Sequence, residues 1–133
     1  MKTKEILALA RNTNTSDLIR EASNIRDKGH GSLVTYSPKV FIPLTHLCRD
    51  VCHYCTFAKT PKKVSSPYMS IKEVVDSAKN AELLGCKEAL FTLGERPELR
   101  YTTARKALVK MGYSSTLEYL KEASIAVIEN TEL

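Results

Sequence analysis

Three of the four cysteines lie within eight residues, in the stretch CRDVCHYC. Cys48, Cys52 and Cys55 follow the spacing C-x3-C-x2-C. Three thiolates on so short a loop can bind three irons of a four-iron cluster, whereas ordinary clusters of this type take four cysteines. The remaining iron then lacks a protein ligand, and an open position on a metal is where a substrate binds. The pattern therefore favours a reactive iron–sulfur site over a purely electron-carrying one.

Two other interpretations of the cysteines stay open. Structural zinc would add His46 or His53 as a fourth ligand, although zinc sites usually show two separated ligand pairs and no second pair follows. Without a metal, the cysteines would be unpaired core residues, or Cys52 and Cys55 would form a redox pair. Cys86 stands alone after a helix stop, and we expect it to be a buried, small apolar residue.

The composition is that of one folded domain, with 133 residues, 43% of them hydrophobic and 26% charged. No apolar run approaches the roughly 20 residues of a membrane-spanning helix, and the N-terminal segment has too short an apolar centre for a secretory signal. These features predict a cytoplasmic protein, in whose reducing surroundings clustered cysteines bind metal or do chemistry. The net charge of +5 is spread along the chain, which argues against a nucleic-acid partner.

The elements that must position the cysteines begin with two helices, one over residues 4–12 and one over residues 15–31. Ser16 is the predicted cap of the second helix, and Gly29 or Gly31 its predicted end. Its apolar face carries Leu18, Ala22 and Ile25.

A strand, a helix and a second strand follow. Val40 to Thr45 read as a buried strand that leads directly into Cys48. Ser70 and Glu73 form a capping box at the start of the next helix, which Gly85 ends. Its apolar stripe carries Val74, Ala78 and Ala81. Ala89 to Leu93 read as a second buried strand, parallel to the first because a helix connects them. The loops after both strands therefore lie at the same edge of the sheet.

Two more helices complete the predicted elements. One covers Thr103 to Met111 and ends at Gly112, and Ser115 with Glu118 opens the other. The buried side of the last helix is predicted to carry Leu117, Leu120, Ser124 and Val127. Two parallel strands are few for a stable sheet, so we expect the N-terminal part of a larger α/β barrel, or a truncated gene product.

A family resemblance rests on three longer strings, LTHLCRDVCHYCTFAKTP, SPYMS and GCKEALFTLGERPELRY. The cysteine loop, with Tyr54 before its last cysteine, resembles the signature of the radical S-adenosylmethionine (SAM) enzymes. Within them the strings resemble the cyclising subunit of FO synthase, which makes 7,8-didemethyl-8-hydroxy-5-deazariboflavin. The resemblance implies the first part of a partial (β/α)6 barrel, with residues 1–32 as a helical extension and 33–133 as the beginning of the barrel.

The resemblance also implies the site. Cys48, Cys52 and Cys55 would hold a [4Fe-4S] cluster whose fourth iron is chelated by SAM, with Tyr54 lying against the adenine. Gly94 and Glu95 occupy the place of the family's Gly-Gly-Glu element, in which Leu93 replaces the first glycine. Glu95 would accept hydrogen bonds from the SAM ammonium. Arg96 and Arg100 are candidates for a carboxylate of SAM or for the substrate, with surface pairing to Glu95 or Glu98 as the alternative.

The implied partners are a small-molecule substrate, an electron-donor protein and the tyrosine-using subunit of FO synthase. The implied reaction begins with hydrogen abstraction from a 4-hydroxybenzyl-substituted ribitylimino-uracil and ends with ring closure and loss of ammonia. We expect the 133 residues alone not to turn over, because later strands of the barrel would complete the pockets. The alternative from another class is a small zinc-binding or cluster-binding interaction module without catalysis.

Overall fold

The structure is a computed structural model that describes residues 2–11 and 14–133. It divides into two compact units, Met1–Tyr36 and Ser37–Leu133. No helix in these described ranges has both the length and the apolar character needed to cross a membrane.

The first unit contains two helices, α1 (Thr3–Arg11) and α2 (Thr15–His30). Residue 12, the predicted end of α1, lies outside the described residues. The predicted cap Ser16 is wrong, since the Asn14 side chain accepts hydrogen bonds from the backbone N–H groups of Ser16 and Asp17. Ser16 therefore already belongs to the first turn. Gly31, with φ of 60°, ends the helix as predicted, because glycine enters this region without a Cβ clash.

The second unit contains two strands, β1 (Lys39–Thr45) and β2 (Glu88–Leu93), and three helices, α3 (Ile71–Leu83), α4 (Thr102–Met111) and α5 (Thr116–Asn130). The strands pair in parallel from Lys39 opposite Glu88 to Pro43 opposite Thr92. The predicted α/β arrangement with two parallel strands and flanking helices is therefore confirmed. Both strands end at the same edge of the sheet, where the two loops with the candidate residues begin.

Within the second unit, the helices cover one side of the sheet. Ile42 and Leu44 of β1 are fully buried in one cluster with residues of all three helices, namely Val74, Ala78, Ala104, Leu108, Tyr119, Ala123 and Val127. The register partners Phe41 and Leu90 remain 64% and 42% exposed. The expectation of buried strands is therefore wrong for these two residues, because no element of the second unit covers their side. It is also wrong for β2 as a whole, in which no residue is fully buried.

The ends of α3 and α4 follow the sequence signals. Ser70 and Glu73 make both hydrogen bonds of a capping box, and Val74, Ala78 and Ala81 are buried as predicted. Gly112 ends α4 in the left-handed conformation.

The predicted buried side of α5 is wrong in part. Thr116, Tyr119, Ala123 and Val127 are buried, whereas Leu117 is 52% exposed. The Tyr119 ring lies with its centroid 5.8 Å from that of Tyr68 and 4.9 Å from that of Tyr113. Because this aromatic side chain occupies the core, it fixes the rotation of the helix and leaves Leu117 outside.

Candidate functional site

The cysteine loop follows β1 at the C-terminal edge of the sheet. Cys48 is half-buried, and Cys52 and Cys55 are exposed. The backbone N–H of Cys55 donates to the Cys52 carbonyl at 3.2 Å, so these two residues share a tight turn. Tyr54, within this turn, is 90% exposed. All four cysteines are free thiols.

The loop after β2 is joined to the cysteine loop through backbone groups. The N–H of Gly94 donates to the Thr45 carbonyl at 3.2 Å, and the N–H of Arg49 donates to the Glu95 carbonyl at 2.9 Å. Between them, the N–H of Glu95 donates to Cys48 Sγ at 3.2 Å. The structure thus brings together Cys48 and Glu95, which the sequence places 47 residues apart.

Gly94 makes this junction sterically possible. A Cβ at this position would overlap the Leu47 carbonyl oxygen and lie 2.7 Å from the Cβ of Cys48. Real Cβ atoms do not approach other atoms so closely. Only glycine therefore fits where the two loops meet.

The sulfur of Cys48 accepts two backbone hydrogen bonds. The donors are the N–H of Glu95 and the N–H of Asp50, the latter at 3.4 Å. Hydrogen bonds to cluster sulfurs are one of the ways in which proteins tune iron–sulfur centres. The donor chemistry of Cys48 therefore fits a cluster ligand.

The three thiols are nevertheless not gathered around one point. Within residues 2–11 and 14–133, no group of three or more His, Cys, Asp or Glu side chains lies close enough to hold a metal ion. Cys52 and Cys55 are exposed on a surface turn. A cluster would require the three thiols to come closer together than they lie here.

The carboxylate of Glu95 faces two guanidinium groups. Arg49 Nη2 lies 3.7 Å and Arg96 Nε 3.5 Å from its Oε1. These side chains are about half exposed, so each pair contributes less than about 1 kcal/mol to folding. Weak pairs can be exchanged for a ligand's ammonium group. The predicted surface pairing of Arg96 with Glu95 is confirmed.

Arg100 does not pair with Glu98, contrary to the surface alternative. Its Nη1 donates to the Arg49 carbonyl at 3.1 Å, and its guanidinium carbon lies 5.2 Å from the centre of the Tyr101 ring. The guanidinium therefore contacts the cysteine loop at the Arg49 carbonyl.

Sequence reasoning missed the burial of Glu98, which is only 8% exposed. The carboxylate accepts hydrogen bonds from the N–H of Thr116 at 3.2 Å and from its hydroxyl at 2.6 Å. Thr116 is the first residue of α5, where helix N–H groups lack partners within the helix. No local pattern reveals this contact, because the partner lies 18 residues further along the chain.

His46 and His53 lie in the loop region that follows β1 and contains the three clustered cysteines. His46 Nδ1 is 3.1 Å from the Phe57 carbonyl, and the two rings lie 4.5 Å apart between centroids. A carbonyl only accepts hydrogen bonds, so Nδ1 carries the proton. His53 is exposed.

Cys86 is half-buried rather than fully buried, since it follows the left-handed Gly85 at the surface end of α3.

A pocket of about 270 Å³ opens beside the junction, between the loop after β2 and the first turns of α5. Its lining includes Gly94, Glu95, Arg96 and Leu120. A small ligand in this pocket would meet both the Glu95 carboxylate and the apolar side of α5.

Comparison with known proteins shows which proteins this chain is similar to. No family model matches the chain, and no solved structure matches it. The chain is 48% identical over 137 residues to an FO synthase of Nocardia farcinica and 46% identical over 142 residues to an FO synthase of Mycobacterium tuberculosis H37Rv. Each match covers 96% of this chain. The chain is a homologue of part of FO synthase. It spans only 16% and 17% of the length of these two FO synthases.

A shorter relative gives the same result. The 7,8-didemethyl-8-hydroxy-5-deazariboflavin synthase of Methanopyrus kandleri is 48% identical over 101 residues, which are 76% of this chain and 30% of that protein. The suspected resemblance to FO synthase is thereby confirmed at the level of homology.

Proposed function

We propose that this chain is the cluster-binding and SAM-binding part of a radical SAM enzyme of the FO synthase type. The observation that carries the proposal is the hydrogen bond from the Glu95 N–H to Cys48 Sγ, because it joins the two sequence segments to which the resemblance assigns the cluster and SAM. The names of the relatives support a role in deazaflavin biosynthesis.

In this proposal each candidate residue has a distinct role. Cys48, Cys52 and Cys55 bind three irons of a [4Fe-4S] cluster. Glu95 exchanges its weak arginine contacts for the SAM ammonium, a charge-assisted hydrogen bond. The backbone around Tyr54 lies along the adenine.

When bound, the reduced cluster and SAM supply the radical that starts the reaction. The proposed substrate is 5-amino-5-(4-hydroxybenzyl)-6-(D-ribitylimino)-5,6-dihydrouracil, which loses hydrogen and ammonia as the deazaflavin ring closes. An electron-donor protein and the tyrosine-using subunit are the proposed partners. The two parallel strands would be the first strands of a partial (β/α)6 barrel, whose active sites lie at the C-terminal ends of the strands.

Anaerobic reconstitution of the purified chain with iron and sulfide tests the proposal. We expect about four irons per chain and a change in the electron paramagnetic resonance spectrum of the reduced cluster when SAM is added. One zinc per chain without iron, or a cluster that does not respond to SAM, would contradict it. The zinc result would instead support the alternative hypothesis of a binding module without catalysis. The relatives are named as enzymes, which does not favour that alternative.

A further inference from the structure

We propose that Glu98 is a positioning residue, which holds the turn after β2 so that the Glu95 N–H meets Cys48 Sγ. In its cluster-related part the inference rests on the proposed function. In its structural part it rests on the turn from Gly94 to Glu98 and on the contacts of this turn with α4 and α5.

The turn from Gly94 to Glu98 contains a conformation that needs support. Arg96 has φ of 30° and ψ of 59°, and it is the only residue other than glycine with positive φ in the described parts of the chain. Non-glycine residues pay an energetic cost in this region and keep such a conformation when their surroundings enforce it. Glu95, whose N–H reaches Cys48, directly precedes this strained residue.

Glu98 provides the support on the other side of the strained residue. Its carboxylate accepts two hydrogen bonds from Thr116, at the start of α5. Its own carbonyl accepts a hydrogen bond from Arg105 Nη1 at 2.6 Å. Both its side chain and its backbone are therefore fixed to helices that belong to the core.

The carboxylate is also the end of a directional chain of hydrogen bonds. Thr116 Oγ1 has one proton, which it donates to Glu98, so the Tyr68 hydroxyl 2.7 Å away must donate to Thr116. The pKa of Tyr68 is raised to about 12, chiefly by burial and in smaller part by the charge of Glu98, while the hydrogen bond to Thr116 opposes the shift. A glutamine at position 98 would present N–H donors where the Thr116 hydroxyl needs an acceptor, and the chain of hydrogen bonds would have to reverse.

Amide hydrogen exchange in the chain without a cluster tests the structural part. In Glu98→Gln and in Thr116→Val, the amides of Glu95 and Arg49 should exchange at least about tenfold faster than in the unaltered chain. Glu118→Gln is the matched control, since Glu118 also accepts hydrogen bonds at the start of α5, from Ser114, without touching the turn. This control should leave both amides unchanged.

The reduction potential of the reconstituted cluster tests the functional part. Glu98→Gln should shift it to more negative values, because losing a hydrogen bond to a cluster sulfur destabilises the reduced state, whereas Glu118→Gln should not. Unchanged exchange at Glu95 and Arg49, an equal change in the control, uniformly faster exchange of all core amides, or an unchanged potential would each overturn the inference. If no variant takes up iron, the proposed function fails and the exchange experiment alone decides the role of Glu98.

Discussion

Gly94 and Leu47 lie so close together that the α-carbon of the glycine has no room for a methyl group on the side of the leucine carbonyl. At this contact the loop after β2 packs directly against the loop after β1. The two loops carry all six residues to which the resemblance assigns cofactor contacts, so the packing of one glycine decides whether they meet.

Gly94→Ala should therefore be strongly destabilising. We expect the free energy of unfolding, measured by urea titration, to fall by more than about 3 kcal/mol. This is the upper end of the range of destabilisation that overpacked substitutions cause. Gly112→Ala is the control, since a Cβ there meets no atom within 4 Å and only the left-handed backbone, with φ of 89°, is strained. It should cost about 1–2 kcal/mol. Equal losses in the two variants would show that the loop contact is not tight.

The three cysteines of the loop should be individually required for iron binding. Cys48→Ser, Cys52→Ser or Cys55→Ser should each leave less than half of the iron bound by the unaltered chain, because each removes one of three thiolate ligands. Cys86→Ser, at the far end of α3, should retain the full content. Iron and sulfide analysis after anaerobic reconstitution provides the measurement, and retention of iron by any of the three loop variants would count against the ligand set.

Stability should fall at high pH because of two buried tyrosines. Burial raises the pKa of Tyr68 and that of Tyr119 from 10.0 to about 12. Below pH 10 the phenols are neutral in both states, whereas between pH 10 and pH 12 they ionise in the unfolded chain first. The free energy of unfolding should therefore decrease through this interval.

Tyr68→Phe should make that decrease shallower, since one of the two shifted phenols is then absent. Urea titrations at a series of pH values check this. An identical pH dependence in Tyr68→Phe and the unaltered chain would show that this hydroxyl is not protected by burial.

The start of α3 should depend on its cap. Ser70→Ala removes the hydroxyl that accepts the Glu73 N–H, and it should cost about 1 kcal/mol in the free energy of unfolding. Ser65→Ala, in the exposed loop before α3, is expected to change it by less than about 0.5 kcal/mol. Urea titration of both variants decides, and similar values would contradict the role of the capping box.

The sequence predicts the elements well where a local signal defines them. The capping box of Ser70 and Glu73 and the left-handed Gly112 each act within one turn, so their residue types suffice. The rotation of α5 is not local, because it depends on how the Tyr119 ring packs against Tyr68. A prediction based on the positions of the leucines alone is therefore partly wrong about which side of α5 is buried.

The sequence predicts which residue types form the candidate site, but it predicts their geometry less well. The cysteine spacing identifies the loop, and the parallel strands place Glu95 at the same edge of the sheet. The hydrogen bond from Glu95 to Cys48 depends on strand register, and the burial of Glu98 depends on a helix that begins 18 residues later. Both are tertiary contacts without a local signature.

The parallel pairing of β1 with β2 also has a kinetic consequence. Lys39 and Glu88, which pair at the start of the sheet, are separated by 49 positions, and Tyr119 bonds to the Met69 carbonyl across 50. Forming contacts between residues so far apart in sequence requires the chain to close long loops. The entropic cost of closing these loops precedes the stabilisation that the contacts provide, and this slows folding. A chain emerging from the ribosome can therefore form α3 early, but the sheet and its cysteine edge cannot exist before Leu93, the last residue of β2, has been added.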